Sequence, residues 1–216
     1  MNKKKAIVIG ATGMVGTQLI QLLLQSKAYT EVVSLVRRPG GVIHPKLTER
    51  VVNFDEPDTW SEFVTGDVLF STMGTTIAKA KTKEEQYKVD FTYQFNVANS
   101  AARNGVRSYV LISSAGANAR SKNFYINMKG QLDEAIQALP FEYISVLRPG
   151  QLAGDRNEKR LGERIGLSVM GGLNKIGLFG KYKPIQASKL ARAMVHAAEL
   201  RKSTTYTLDE VHKLAK

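Results

Sequence analysis

The chain has 216 residues, no cysteine and a net charge of +12. That length suits one domain with a sizeable core and leaves no room for a large second domain. Disulfides, thiolate metal sites and cysteine nucleophiles are excluded, and no apolar run reaches the length of about 18 residues that a membrane span needs.

The opening Met1-Asn2-Lys3-Lys4-Lys5 has the charge of a signal-peptide n-region. The apolar stretch behind it stops at Gly10, so Ala6–Ile9 reads as a strand and the chain as cytoplasmic. Thr12–Leu24 follows with helical spacing at Val15, Leu19, Leu22 and Leu23. Val32–Val36 is a second strand. Val51–Phe54 reads as a third, before a short helix that Asp58 would cap. Val68–Ser71 is a fourth. Phe91–Arg103 carries Phe91, Phe95, Ala98 and Ala102 on one helix face, and Asn104-Gly105 stops it. Tyr109–Ile112, a helix over Phe124–Ala138 and a strand over Phe141–Leu147 follow, the last stopped by Arg148-Pro149-Gly150. Residues 150–185 are irregular and glycine-rich, and Gly162–Gly180 is expected to act as a mobile cover over the site. Ser188–Leu200 is a helix and Thr204–Leu208 a last strand.

Apolar strands without polar alternation, separated by helices, imply a parallel sheet covered on both faces. Right-handed crossovers make it an α/β, doubly wound, Rossmann-type domain over residues 1–216, with a small C-terminal cover region. The three histidines, His44, His196 and His212, lie far apart, so no metal is expected. The basic residues suit an anionic cofactor or substrate. No nucleic-acid motif accompanies them, so nucleic acid is not an expected partner.

Three motifs carry chemistry. Gly10-Ala11-Thr12-Gly13-Met14-Val15-Gly16 stands between the first strand and the first helix. Gly10 permits the tight turn, Gly13 lets a pyrophosphate approach the backbone, and Gly16 lets the helix pack on the strand. The helix N-terminus then offers free N–H groups and a positive dipole end to phosphate. Arg37-Arg38 follows the second strand, where an acidic residue would hold the ribose hydroxyls of NAD. Arginine suits a 2′-phosphate instead, so the cofactor is expected to be NADP(H) before NAD(H). Ser113-Ser114 ends the fifth strand, and Tyr125 and Lys129 lie four apart on one face of the next helix. A nearby ammonium favours the phenolate of a tyrosine whose free pKa is near ~10. Tyr125 can then exchange a proton with a carbinol oxygen while a serine hydroxyl holds that oxygen. None of the other tyrosines has a lysine at that spacing.

The order of these motifs resembles the short-chain dehydrogenase/reductase superfamily, in its extended and atypical branches. Ser113-Ser114-Ala115-Gly116-Ala117, Phe124-Tyr125, Lys129-Gly130 and Arg148-Pro149-Gly150-Gln151-Leu152-Ala153-Gly154-Asp155-Arg156 resemble the small branch typified by the Tat-interacting oxidoreductase. The resemblance implies cofactor contacts at Gly10, Thr12, Gly13, Met14, Val15, Arg37, Thr72, Met73 and Gly74, with Lys129 on the nicotinamide ribose. It implies catalysis by a serine (Ser114 preferred, Ser113 the alternative), Tyr125 and Lys129, supported by Asn96. The short region after Arg148 argues against sugar-nucleotide epimerase or dehydratase activity. The expected function is NADP-dependent hydride transfer to or from a small carbonyl or alcohol. The alternative is an NADP(H)-sensing regulatory protein without turnover. A monomer or a homodimer is expected, the latter pairing the helices at Phe91–Arg103 and Phe124–Ala138.

Overall fold

The computed structural model describes residues 3–153 and 184–216. In chain order these form β1 (Lys4–Ile9), α1 (Met14–Gln25), β2 (Tyr29–Val36), β3 (Leu47–Val51), β4 (Val68–Ser71), α2 (Ile77–Ala80), α3 (Lys83–Tyr87), α4 (Tyr93–Arg103), β5 (Ser108–Ile112), α5 (Phe124–Gln137) and β6 (Tyr143–Arg148). After them come β7 (Leu152–Ala153), β8 (Ile185–Gln186), α6 (Ala187–Leu200), β9 (Thr204–Thr207) and α7 (Leu208–Leu214). A π-helical turn, Lys88–Thr92, joins α3 to α4.

Seven strands make one sheet in the order β3-β2-β1-β4-β5-β6-β9, and each pair is parallel. The doubly wound expectation therefore holds. Alternate residues of β1 feed opposite faces: Ala6 and Val8 pack with Leu19, Leu23, Leu190 and Met194, while Ile7 and Ile9 pack with Trp60, Val97 and Ala101. Strands buried on both faces read as unbroken apolar runs, which is why most were visible in the sequence. The order reverses between β1 and β4, and the crevice outside the strand ends at such a point is where open α/β sheets bind ligands.

Four local expectations are corrected. The third strand is Leu47–Val51, not Val51–Phe54. It lies at the sheet edge with exposed polar residues, while Val52 and Phe54 reach the core from the loop after it. Asp58 caps no helix: it lies inside a short 3₁₀ turn, Pro57–Thr59, followed by another at Ser61–Phe63. The buried face of α4 is Tyr93, Gln94, Val97, Ala98 and Ala101, not the stripe through Phe91, Phe95 and Ala102. The π turn shifts the helical register, and Tyr87, Phe91 and Phe95 stack as a half-buried ladder, centroids 4.8 and 6.0 Å apart. Leu208 begins α7 and does not end β9. The expected mobile cover, Gly162–Gly180, lies outside the described residues.

Candidate active site

The glycine turn and the loop after β4 lie side by side at the strand ends. Gly10 has φ +77°, and a Cβ there would stand 2.5 Å from the backbone of Thr72 and Met73. Thr72 donates from both its amide and its hydroxyl to the Ile9 carbonyl, at 3.0 and 2.9 Å. A Cβ on Gly16 would overlap the Gly10 carbonyl, so only glycine lets α1 start against β1. Gly13 differs. Its added Cβ would meet only the Gly10 oxygen, at 3.2 Å, and is otherwise in open space. Gly13 is also the N-cap of α1, no side chain caps that end, and no acidic residue lies in the first turn. The orphan N–H groups and the positive end of the helix are therefore available to an anion. Thr12 and Met14 are exposed there. Val15 is buried in the core, so it has only backbone to offer a phosphate.

A groove runs outward from this turn past the ends of β2 and β3. Thr12, Arg37, Arg38, Val52, Phe54 and Tyr93 line it. Asp55 also lines it and was not anticipated. Its carboxylate pairs with Lys88 at 2.8 Å and accepts from the Tyr93 hydroxyl at 3.0 Å. The hydrogen bond from Lys88 holds it below the usual carboxylate range, with help from Tyr93. Both arginines are exposed at the groove wall.

On the other side of the glycine turn, β5 runs on into Ser113, whose amide donates to the Leu147 carbonyl at 2.8 Å. Ser113 is buried and its hydroxyl points beneath the site toward Asp133 of α5. It is near enough to favour the charged carboxylate, yet it completes no hydrogen bond there. Ser114 is half-buried, and its hydroxyl makes only a long 3.4 Å contact to the Ala115 carbonyl. Asn123 caps α5 by accepting from the Ile126 amide at 3.1 Å. That cap sets Tyr125 in the first turn, half-buried, with Lys129 one turn below it. Gly130 allows this helix to lie directly on the backbone of Asn118 and Ala119, where any side chain would collide.

Lys129 is only 3% exposed. Burial presses its pKa down, but Asp90, Tyr125 and Asp133 outweigh that and hold it above the ordinary lysine value. The ammonium lies 3.5 Å from Asp90 Oδ1. Asp90 Oδ2 accepts from the Thr75 amide at 2.8 Å. Burial raises the Asp90 pKa, against the pull of Lys129 and the Thr75 amide. Asp133 is equally buried and pairs with Arg148 Nε at 2.8 Å. Sequence reasoning missed both carboxylates, because an acidic residue in a helical segment reads as solvated surface. Asn96 is not brought into this cluster. It lies half-exposed on α4, and the Ser100 hydroxyl bonds to its carbonyl at 3.0 Å. Asp90, and not Asn96, pairs with the Lys129 ammonium.

Residues 10–199 match the model of a family described as NAD(P)H-binding. The chain belongs to that family. Protein FMP52, mitochondrial, of Candida albicans is 34% identical over 198 residues, covering 89% of this chain and 86% of its own. The Aspergillus fumigatus protein of the same name is 36% identical, covering 88% and 85%. These names correct the expectation of a cytoplasmic chain, since relatives spanning nearly its whole length are named as mitochondrial. Among solved structures, Bordetella bronchiseptica WbmH in complex with NAD+ superposes with a TM-score of 0.74 at 18% identity, covering 95% of this chain and 75% of that one. The human epimerase family protein SDR39U1 with NADPH gives 0.63 at 18%, covering 94% and 73%. At such identities the likeness is one of fold alone.

Proposed function

We propose that the protein is an NADP-dependent oxidoreductase that moves a hydride between the cofactor and a small carbonyl or alcohol. The observation that carries this reading is the buried Lys129 ammonium beside Tyr125, on a helix facing the end of β5. A lysine is rarely buried unless paired or put to use. The dinucleotide fits the residues present: the uncapped end of α1 and the open face of Gly13 form the phosphate cradle. The loop Thr72–Gly74 flanks that cradle, and Arg37 with Arg38 would hold a 2′-phosphate. The bound nicotinamide ring would give or take the hydride. Ser114 would hold the substrate oxygen by hydrogen bond. Tyr125 would donate its phenolic proton to that oxygen on reduction and take one back on oxidation. Lys129 would contact the ribose and favour the phenolate when the proton leaves. Relatives named as mitochondrial support a mitochondrial location for this chain as well.

Titration with NADPH and NADH tests the cofactor assignment. NADPH is expected to bind more tightly, and Arg37→Ala with Arg38→Ala is expected to remove the preference. Equal or tighter binding of NADH by the unaltered protein would overturn it. A screen of carbonyl compounds with NADPH then tests turnover. Tight NADPH binding with no turnover on any of them would favour a sensor of the cofactor.

A further inference from the structure

We propose that Asp90 is a positioning residue of this site: one carboxylate oxygen holds the Lys129 ammonium and the other holds the loop after β4, so that lysine and loop are set as one unit. The proposal rests on the reading that Lys129 serves a bound dinucleotide.

The geometry has three parts. First, the π turn Lys88–Thr92 is what aims Asp90 inward. Such turns add a residue to the helical circuit and re-aim the side chains around them, often at functional sites. This one is anchored: Gln94 Nε2 donates to the Asp90 carbonyl at 2.7 Å, and the Ser71 hydroxyl donates to Gln94 Oε1 at 2.6 Å. The turn is thereby pinned to the end of β4. Second, Asp90 is 1% exposed, and both of its oxygens are engaged, by Lys129 Nζ and by the Thr75 amide. Third, the loop approaches so closely that a Cβ on Gly74 would touch Asp90 Oδ1 at 3.4 Å. Gly74 belongs to the loop expected to flank the cofactor.

An ion pair kept only for stability can be replaced by apolar groups at little cost. Here the pair spans two parts of the expected cofactor site, and its loss has a specific electrical consequence. The groups facing Lys129 are Asp90 from the π turn and Tyr125 and Asp133 from α5. Arg148 of β6 engages Asp133 at 2.8 Å and so shares its charge. Asp90 is therefore the main counter-charge of the ammonium. Without it, burial acts on Lys129 with less opposition, and the lysine loses its proton at a lower pH.

Asp90→Asn keeps the shape and an oxygen for the Thr75 amide but removes the charge. Asp90→Ala removes both. The ionisation of Lys129 can be followed by carbon-13 NMR of lysine-labelled protein, its signal assigned with Lys129→Met. NADPH affinity is measured over the same pH range. In the asparagine variant Lys129 is expected to titrate below its unaltered value. NADPH binding should then weaken on the alkaline side, by up to about tenfold per pH unit, where the unaltered protein still binds. Hydrogen exchange at Thr75 should stay slow in the asparagine variant and quicken in the alanine variant. If the alanine variant does not fold, the isosteric asparagine variant carries the test alone. An unchanged Lys129 titration in a folded Asp90→Asn protein would overturn the proposal. Failure of the unaltered protein to bind NADPH would instead overturn the cofactor reading, with the NMR titration still deciding whether Asp90 governs Lys129.

Discussion

Gly13 and Gly16 stand three residues apart in one turn, yet a side chain would meet different neighbours at each. At Gly16 it would strike the Gly10 carbonyl and the Ala11 backbone, neither of which can move without shifting β1 or α1. At Gly13 it would point into the open cradle. Gly13→Val is therefore expected to fold and to lose dinucleotide binding. Gly16→Val is expected to lose the fold itself. Circular dichroism with NADPH titration separates the two, and tight binding by folded Gly13→Val would place the dinucleotide elsewhere. Tyr125→Phe makes the parallel test for chemistry. It keeps the ring and deletes the proton, so turnover should fall roughly 10²–10⁴-fold with NADPH affinity nearly intact. Wild-type turnover by this variant on a substrate found in the screen would remove Tyr125 from the mechanism.

The chemistry of single residues depends on the elements that hold them. Tyr125 sits in the first turn of α5, and the Asn123 cap decides where that turn begins. Asn123→Ala is expected to cost about 1 kcal/mol, the usual value of a lost N-cap. Turnover should fall more than stability does, since the frayed turn carries the phenol. A denaturation curve beside a rate measurement checks this, and unchanged kinetics would mean that packing alone sets the turn. Elements also show what the sequence displayed and what it concealed. The buried strands announced themselves, because Ala6–Ile9 and Val68–Ser71 have no polar interruption. The glycine turn did so because its spacing follows a strand and opens a helix. The edge strand Leu47–Val51 did not, as its Thr48, Glu49 and Arg50 look like a loop when only one neighbour covers them. The π turn concealed Asp90, since a stripe drawn at 3.6 residues per turn points it the wrong way. Asp133 was hidden by distance, its partner Arg148 lying on another element.

For the whole molecule, the two buried carboxylates tie stability to pH. Burial raises the Asp133 pKa above the ordinary carboxylate value, against Ser113, Arg148 and Lys129, which lower it. A raised folded-state pKa gives stability that is complete below the unfolded value and is lost as pH rises through the folded one. The Arg148 pair limits that loss. Arg148→Met should push the Asp133 pKa further up and leave its charge uncompensated. The expected cost is about 3 kcal/mol at neutral pH, near the lower end for breaking a buried pair because the arginine is partly exposed. It should shrink as the pH falls toward 4, where the carboxyl is neutral. Urea denaturation across that range measures it, and a cost independent of pH would show that lost packing, not charge, is responsible.

The helix that opens from the glycine turn is covered from an unexpected quarter. α1 rests against α6, where Leu190, Ala191, Ala193, Met194 and Ala197 complete the core begun by Val15, Leu19 and Leu23. The two partners are separated by most of the polypeptide. On a ribosome adding about 5–20 residues per second, roughly 8–30 s pass between synthesis of the first helix and arrival of the second. During that interval β1 and β2 can already back α1, but the side of the helix that α6 covers stays open. The nascent protein therefore emerges with its glycine turn written early and the wall that supports the following helix written late.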